Sequence, residues 1–209
     1  MSFQPNETHL NLMRAFAGES QARNRYTIAA AAAREKELYV LEEVFLYTAD
    51  QERAHAKVFY DYLKEAAGQT LHIDGGFPVD IDPTLTKLLQ MAHHNETEEA
   101  NDVYPAFAAQ AERDGYPAVA SAFRMIARVE AMHADRFRQF ETWLSGDTLF
   151  ADSSESCVWM CQNCGHLHVG KQAPGVCPVC LHKQGYFLRA AMSAYTGLQT
   201  LSASAAMPV

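Results

Sequence analysis

Residues 15–26 read AFAGESQARNRY, and Glu19 stands where the helix begun by Ala15, Phe16 and Ala17 should place its next core residue. On a 3.6-residue period Leu12, Phe16, Glu19, Arg23 and Tyr26 share one face, so the carboxylate is aimed at the core this helix builds. A buried carboxylate without a partner costs several kcal/mol or takes up a proton. What compensates Glu19 therefore decides what kind of core this is.

The same phase recurs three more times. A helix from about Asn6, a good N-cap, to Lys36 is followed by a second from about Leu38 to Ala67, closed by Gly68. Residues 69–81 hold Gly75, Gly76 and Pro78 and are expected to form a long crossover. Asp82 before Pro83 marks a third helix reaching about Arg113, and after Gly115 and Pro117 a fourth runs from about Ala118 to Ser145. The inner seam of the second helix is Phe45, Thr48, Glu52, His55, Phe59 and Tyr62. That of the third is Leu85, Leu88, Leu89, Ala92, Glu96, Glu99, Val103 and Phe107, and that of the fourth Val119, Phe123, Ile126, Glu130, His133, Phe137 and Phe140. Four long helices with two short turns and one long crossover predict an all-α, ferritin-like four-helix bundle over residues 1–146.

Glu52 with His55, Glu96 with Glu99, and Glu130 with His133 are each three residues apart, close enough on neighbouring turns to reach one centre. With 15 Glu and 9 His in the chain, chance alone supplies about 0.6 Glu-x-x-His matches, so the spelling of the motif carries little. The weight lies in the phase: two such pairs, an acidic pair and a lone Glu all fall on apolar seams of four different helices. Five inward carboxylates need cations among them, and two divalent or trivalent ions supply the charge. Bundles that bind two metals use one Glu from each of two helices and Glu-x-x-His from each of the other two. Oxygen-rich sites with an imidazole on each metal suit iron or manganese, and zinc can occupy them during preparation.

All five cysteines lie between 157 and 180. Cys161-x2-Cys164-Gly and Cys177-Pro-x-Cys180 form two knuckles of a four-thiolate site within residues 157–189, a segment of short β and loop structure expected to be too short for its own apolar core and to need a metal to fold. A structural zinc ribbon has nearly the same spacing. A two-metal redox bundle upstream needs an electron supply, and iron in a thiolate cage carries single electrons, so the context favours iron. Cys157 is read as a bystander thiol, and His166, His168 and His182 as surface residues. Residues 147–156, within GDTLFADSSES, read as a polar linker; residues 190–209 carry no charged side chain and form a tail of unknown role.

A net charge of −8 without any Lys/Arg cluster argues against nucleic acid or an anionic membrane as partner. The N-terminus MSFQPNETHLN has no basic segment leading into an apolar one, and no apolar run approaches the ~18 residues of a membrane span. A cytoplasmic protein acting on a small diffusible substrate is expected.

Together AFAGESQARNRYT, ERAHAKVFY, HNETEEAN, VEAMHADRF and WMCQNCGHLHVG with CPVC, in this order and spanning residues 8 to 189, resemble the rubrerythrin family. The resemblance implies a di-iron bundle joined to a rubredoxin-like domain, acting as a non-haem peroxidase that reduces hydrogen peroxide to water in oxidative-stress defence. It implies Glu52 and Glu130 as bridges between the irons, Glu19 and Glu96 as terminal ligands, His133 on one iron, and Glu99 and His55 as a pair that exchanges at the other as its oxidation state changes. Cys161, Cys164, Cys177 and Cys180 would hold one further iron, or zinc. Electrons would arrive from an external NAD(P)H-dependent reductase or a rubredoxin, since the chain has no Gly-rich nucleotide fingerprint. Tyr26 and Tyr104 match tyrosines near the family's site, although plain core packing accounts for them equally. The resemblance further implies a homodimer or larger homo-oligomer, with one subunit's cysteine domain beside another's di-iron site. The family often ends soon after the residue matching Phe187, so the tail departs from its pattern. Three rival readings are ferritin-like iron oxidation and storage, a zinc-stabilised binding protein without catalysis, and oxygen activation for hydroxylation.

Overall fold

Asn6 starts the first helix as expected: its side chain accepts the His9 N–H at 3.2 Å while His9 Nδ1 accepts the Asn6 N–H at 3.2 Å, which satisfies two first-turn donors. The computed structural model describes residues 4–194, so most of the tail, from residue 195 to 209, lies outside the described residues. Four long helical runs build the bundle. These are α1 (Glu7–Glu35), α2 (Tyr39–Asp61), a run made of α3 (Leu85–Glu98), a π-helical turn (Glu99–Val103) and α4 (Tyr104–Arg113), and α5 (Pro117–Ser145). No helix among the described residues is long and apolar enough to cross a membrane.

Several sequence expectations are corrected. The second helix ends at Asp61 rather than Ala67, because a 3-10 turn (Lys64–Ala66) lets both Leu63 and Ala66 turn inward, and Tyr62 is left exposed. Asp82 does not cap the third helix: its Oδ1 takes the Thr84 N–H at 2.8 Å and the Thr84 hydroxyl at 2.6 Å in a local turn, and α3 starts at Leu85. Arg23 is exposed, since the buried stripe of α1 is centred on Ala15, Ala22, Tyr26 and Ala29, and position 23 falls over its edge.

The largest correction is the π turn. Pro105 has no N–H and its ring crowds the carbonyl four residues back, so regular α-helix cannot pass through it. The Tyr104 N–H reaches instead to the Glu99 carbonyl, five residues back. The extra residue shifts the seam by one place. Tyr104, Ala108 and Ala111 are buried, where Val103 and Phe107 were expected and are only half-buried.

On every helix the inward acids separate two apolar clusters. One contains Tyr26, Phe45, Leu89, Phe137 and Phe140, the other Leu12, Phe59, Tyr104, Phe123 and Ile126. Each of these large side chains contributes about 1.5–3 kcal/mol by leaving water. They hold the polar layer between them in place from both ends.

After α5 comes a three-stranded antiparallel sheet of order β2-β1-β3, formed by β1 (Val158–Cys161), β2 (Leu167–Val169) and β3 (Phe187–Arg189). Trp159, Cys161, Ala173, Cys177 and Phe187 bury a small core here, so the segment does have an apolar centre, two of whose five members are cysteines. Residues of the polar stretch before it are also drawn in. Leu149 is buried in the bundle core, and Arg189 Nη2 donates to the carbonyls of Ala151 at 2.6 Å and Thr148 at 2.8 Å while its guanidinium lies 3.9 Å from the Trp143 ring centre. Of the tail, Ala190–Met192 form a 3-10 turn with Ala190 buried.

The sheet segment docks on the α1–α2 turn. Tyr186 stacks on Tyr39 with ring centres 4.0 Å apart, and Lys183 pairs with Glu37. Gly185 lies so close that a Cβ would stand 1.9 Å from the Glu37 carbonyl oxygen. Gly185→Ala is therefore expected to destabilise the docked segment by about 1–3 kcal/mol, the usual penalty for overpacking. Thermal unfolding together with protease sensitivity of residues 147–156 measures this; an unchanged chain would show that the contact yields without strain.

Candidate metal centre

Six side chains from four helical runs meet between the two apolar clusters: Glu19 from α1, Glu52 and His55 from α2, Glu96 from α3, and Glu130 and His133 from α5. They form two overlapping groups of potential ligands, Glu19, Glu52, His55 and Glu130 on one side and Glu52, Glu96, Glu130 and His133 on the other. Glu52 and Glu130 belong to both, and each divides its two oxygens between them. His55 Nδ1 stands 2.8 Å from Glu130 Oε1 and 3.2 Å from Glu52 Oε2, whereas His133 Nδ1 stands 2.7 Å from Glu130 Oε2 and 3.0 Å from Glu52 Oε1. The two imidazoles lie nearly parallel, 5.6 Å apart.

These groups aim at shared points more than at one another. Seven buried polar atoms here have no hydrogen-bond partner: Glu19 Oε2, Glu52 Oε1, Glu96 Oε2, both oxygens of Glu130 and both ring nitrogens of His133. Each such orphan costs about 1–3 kcal/mol, and charged ones more. Atoms about 2.1 Å from a common octahedral centre stand about 3.0 Å apart, and the 2.7–3.4 Å separations around His133 bracket that value. The residues present fit two cations.

The protonation pattern of the bare site reflects the crowding. Burial first, then the Glu130 and Glu52 charges, push Glu19 well above the ordinary carboxylate range. Burial and Glu52 raise Glu96 to about 8, and burial with the Glu96 and Glu130 charges raises Glu99. Burial also acts on Glu52, but contacts with His133 and His55 outweigh it and bring this carboxyl to about 2. The imidazoles respond in kind: burial opposes their charge, yet Glu130 and Glu52 lift His55 to about 9 and, with Glu96, His133 to about 12. Without cations, these carboxylates must share protons with the imidazoles and with one another.

Two buried tyrosines hold the outer carboxylates. The Tyr26 hydroxyl donates to Glu96 Oε1 and that of Tyr104 to Glu19 Oε1, so each helix's tyrosine serves the acid of the other. Tyr104 reaches Glu19 because the π turn brings position 104 inward. Tyr104→Phe keeps the ring and removes the donor, and is expected to weaken metal affinity or turnover by about 10–100-fold, as loss of a ligand's hydrogen-bond partner does. Titration of the metal-free variant with ferrous ion under argon checks this; parental affinity together with parental turnover would contradict it.

Glu99 is the one candidate that the structure leaves outside both groups. It is half-buried on the π turn, and its Oε1 lies 4.0 Å from where a Cβ on Gly18 would be. Two features have no counterpart among the sequence expectations. Arg136, one turn after His133, is half-buried and donates to Thr48 Oγ1 at 2.9 Å and Gln51 Oε1 at 3.0 Å. Asp80, in the crossover, accepts from buried Asn95 at 2.7 Å and from Arg25. Position 136 lies beside the counted seam rather than on it, and nothing local marks either residue.

The four predicted cysteines converge as a second cluster. The Cys161–Cys180 and Cys164–Cys177 sulfurs are each 3.7 Å apart, far beyond a disulfide bond. Four thiolates about 2.3 Å from a tetrahedral centre stand about 3.8 Å apart, so the set fits one ion. Burial lifts the Cys161 thiol to about 12, while the His182 N–H lowers Cys180 to about 6. Cys164 is exposed, Cys157 is half-buried outside the cluster, and His166, His168 and His182 are half-buried rather than fully on the surface.

Comparison with known proteins bears on both clusters. The family model described as Rubrerythrin matches residues 11–141, and that of the rubrerythrin rubredoxin-like domain matches residues 159–188. Rubrerythrin of Clostridium perfringens is 40% identical over 187 residues, covering 89% of this chain and 95% of its own. Rubrerythrin of Porphyromonas gingivalis is 40% identical over 186 residues, covering 89% and 91%. Among solved structures, fully reduced, all-ferrous nigerythrin superposes with a TM-score of 0.60 at 25% identity, covering 89% of this chain and 88% of that one. The carboxylate–imidazole set fits the di-iron centre of that family and the four cysteines fit its rubredoxin-like iron centre.

Proposed function

The chain belongs to the rubrerythrin family of oxidoreductases, and from that premise we propose that it is a peroxidase reducing hydrogen peroxide to two waters with two electrons and two protons. The observation that carries the proposal is the division of Glu52 and Glu130, each giving one oxygen to each of two imidazole-containing groups. This supports Glu52 and Glu130 as bridges, Glu19 and Glu96 as terminal ligands, and His133 on one iron. His55 belongs to the Glu19 group while Glu99 waits on the π turn, which supports these two as the exchanging pair. Two irons held by these residues would supply both electrons of peroxide cleavage within one site.

The protein's own part is positional. Tyr26 and Tyr104 fix the outer carboxylates, the apolar clusters on either side exclude bulk water, and the split carboxylates keep the two halves of the site at one separation. We assign residues 1–146 to this reaction and Cys161, Cys164, Cys177 and Cys180 of residues 157–189 to single-electron supply, fed by an external reductase or rubredoxin. A homodimer or larger homo-oligomer would bring one subunit's cysteine iron to another's bundle.

Stopped-flow mixing of the reduced protein with hydrogen peroxide and, separately, with dioxygen tests this reading. Oxidation by peroxide is expected to be much the faster. Faster oxidation by dioxygen would transfer the protein to oxygen activation, and uptake of many irons per chain in a large hollow assembly would transfer it to iron storage.

A further inference from the structure

A cavity of about 230 Å³ lies between the crossover and the bundle, far above the roughly 10–15 Å³ at which a cavity first holds a water. Its inner wall is Gly18, Glu99 and Tyr104: the residue before one candidate ligand, a second candidate, and the tyrosine that holds the first. Its outer wall is Gly75, Gly76, Phe77 and Pro78. The larger cavity between the bundle and the sheet segment is lined by no candidate ligand.

The outer wall is a strap fastened at both ends. Arg14 Nη2 holds Asp74 Oδ1 at 2.6 Å and its Nε holds the Asp74 carbonyl at 3.1 Å; beyond Phe77, Asp80 is held by Arg25 and by Asn95 at 2.7 Å. Between these points Phe77, 44% exposed, lays its ring edge over Gly18, where a Cβ would find Phe77 Cε1 at 3.9 Å and Glu99 Oε1 at 4.0 Å. Those distances leave room for alanine, and Gly18 is mid-helix, where glycine weakens the helix relative to alanine. Neither backbone conformation nor contact calls for glycine; its missing side chain leaves the cavity wall open beside Glu99 and Tyr104.

We propose that small neutral oxidants reach the carboxylate site through this cavity and that Phe77, held across it by the Asp74 and Asp80 anchors, is the residue that sets their size limit. The route admits hydrogen peroxide and excludes branched organic hydroperoxides. This rests on the peroxidase reading for its substrate but not for its geometry.

Two measurements on the full-length, metal-loaded chain test it. In Phe77→Ala, the ratio of kcat/KM for tert-butyl hydroperoxide to that for hydrogen peroxide is expected to rise by about 10-fold or more, the scale on which one steric contact discriminates. The second readout needs no turnover. In the zinc-loaded chain carrying Cys157→Ser and Gly18→Cys, the introduced thiol is expected to react with a bulky methanethiosulfonate about 10-fold faster once Phe77→Ala is added, while a methyl reagent gains little. An unchanged labelling rate, or an unchanged hydroperoxide ratio in protein that reduces hydrogen peroxide, overturns the gate. If the unsubstituted protein reduces no peroxide at all yet Phe77→Ala still speeds labelling, the peroxidase reading fails and the gate stands.

Discussion

Glu130→Ala is expected to empty the bundle of both ions and to lower peroxide turnover by on the order of 10³-fold or more. Removing a single preorganised polar group commonly lowers turnover by about 10²–10³, and Glu130 is not a single contact. Its two oxygens are the nearest carboxylate atoms to both imidazoles, 2.8 Å from His55 and 2.7 Å from His133, and neither has another partner. Without it both groups lose a member at once. The cysteine site shares no residue with the bundle and keeps its ion. Elemental analysis beside steady-state turnover measures the effect, and Glu35→Ala, at the exposed acid that closes α1, is the control expected to behave as the parent. Full bundle occupancy in Glu130→Ala would remove Glu130 from the ligand set.

Stripping the metals is expected to reverse the pH dependence of stability. In the metal-free chain, the raised carboxyls of Glu19, Glu99 and Glu96 leave stability intact below their unfolded pKa near 4.5. The penalty then grows as pH climbs toward the folded value, about 8 for Glu96. His55 and His133, raised from 6.5 to about 9 and about 12, act in the same sense: the stability from holding their protons is complete below 6.5 and is lost as pH rises through those values. Glu52, lowered to about 2, opposes only at the acid end, where its contribution disappears as pH falls from 4.5 toward 2. The metal-free chain should therefore be most stable near pH 5. It should lose on the order of 3 kcal/mol by pH 8, a fall of about 10 °C in Tm for a chain of this size. The loaded chain should run the other way, since metal binding needs deprotonated ligands and strengthens with pH. Thermal unfolding at both pH values, with and without metal, measures both slopes. Metal-free stability that increases from pH 5 to pH 8 would contradict this pattern of proton sharing.

Much of the metal site is legible in the sequence because its signals are periodic. Glu19, Glu52, Glu96 and Glu130 lie on apolar seams whose phase follows from counting, and they are found buried together with His55 and His133. The four cysteines are legible for a different reason, their fixed knuckle spacing. What the period cannot give is a change in the period itself. Pro105 forces the π turn, which moves Tyr104 inward and leaves Glu99 outside both groups; the proline is visible, but its consequence depends on how the helix absorbs one more residue. The strap is illegible for a third reason. Asp74 and Asp80 are held by Arg14 and Arg25, whose sequence separations of 60 and 55 residues leave no local mark. The docking of the cysteine segment likewise rests on Gly185 meeting Glu37, a contact set by tertiary geometry alone.

The inward acids of this bundle are tolerated because two cations neutralise them. Calorimetric titration of ferrous ion into the rigorously metal-stripped chain under argon tests this most directly. Uptake of two ions by the bundle, with release of protons and a higher Tm, is the predicted result. A stripped chain that is as stable as the loaded one and takes up no iron outside its cysteine site would contradict it.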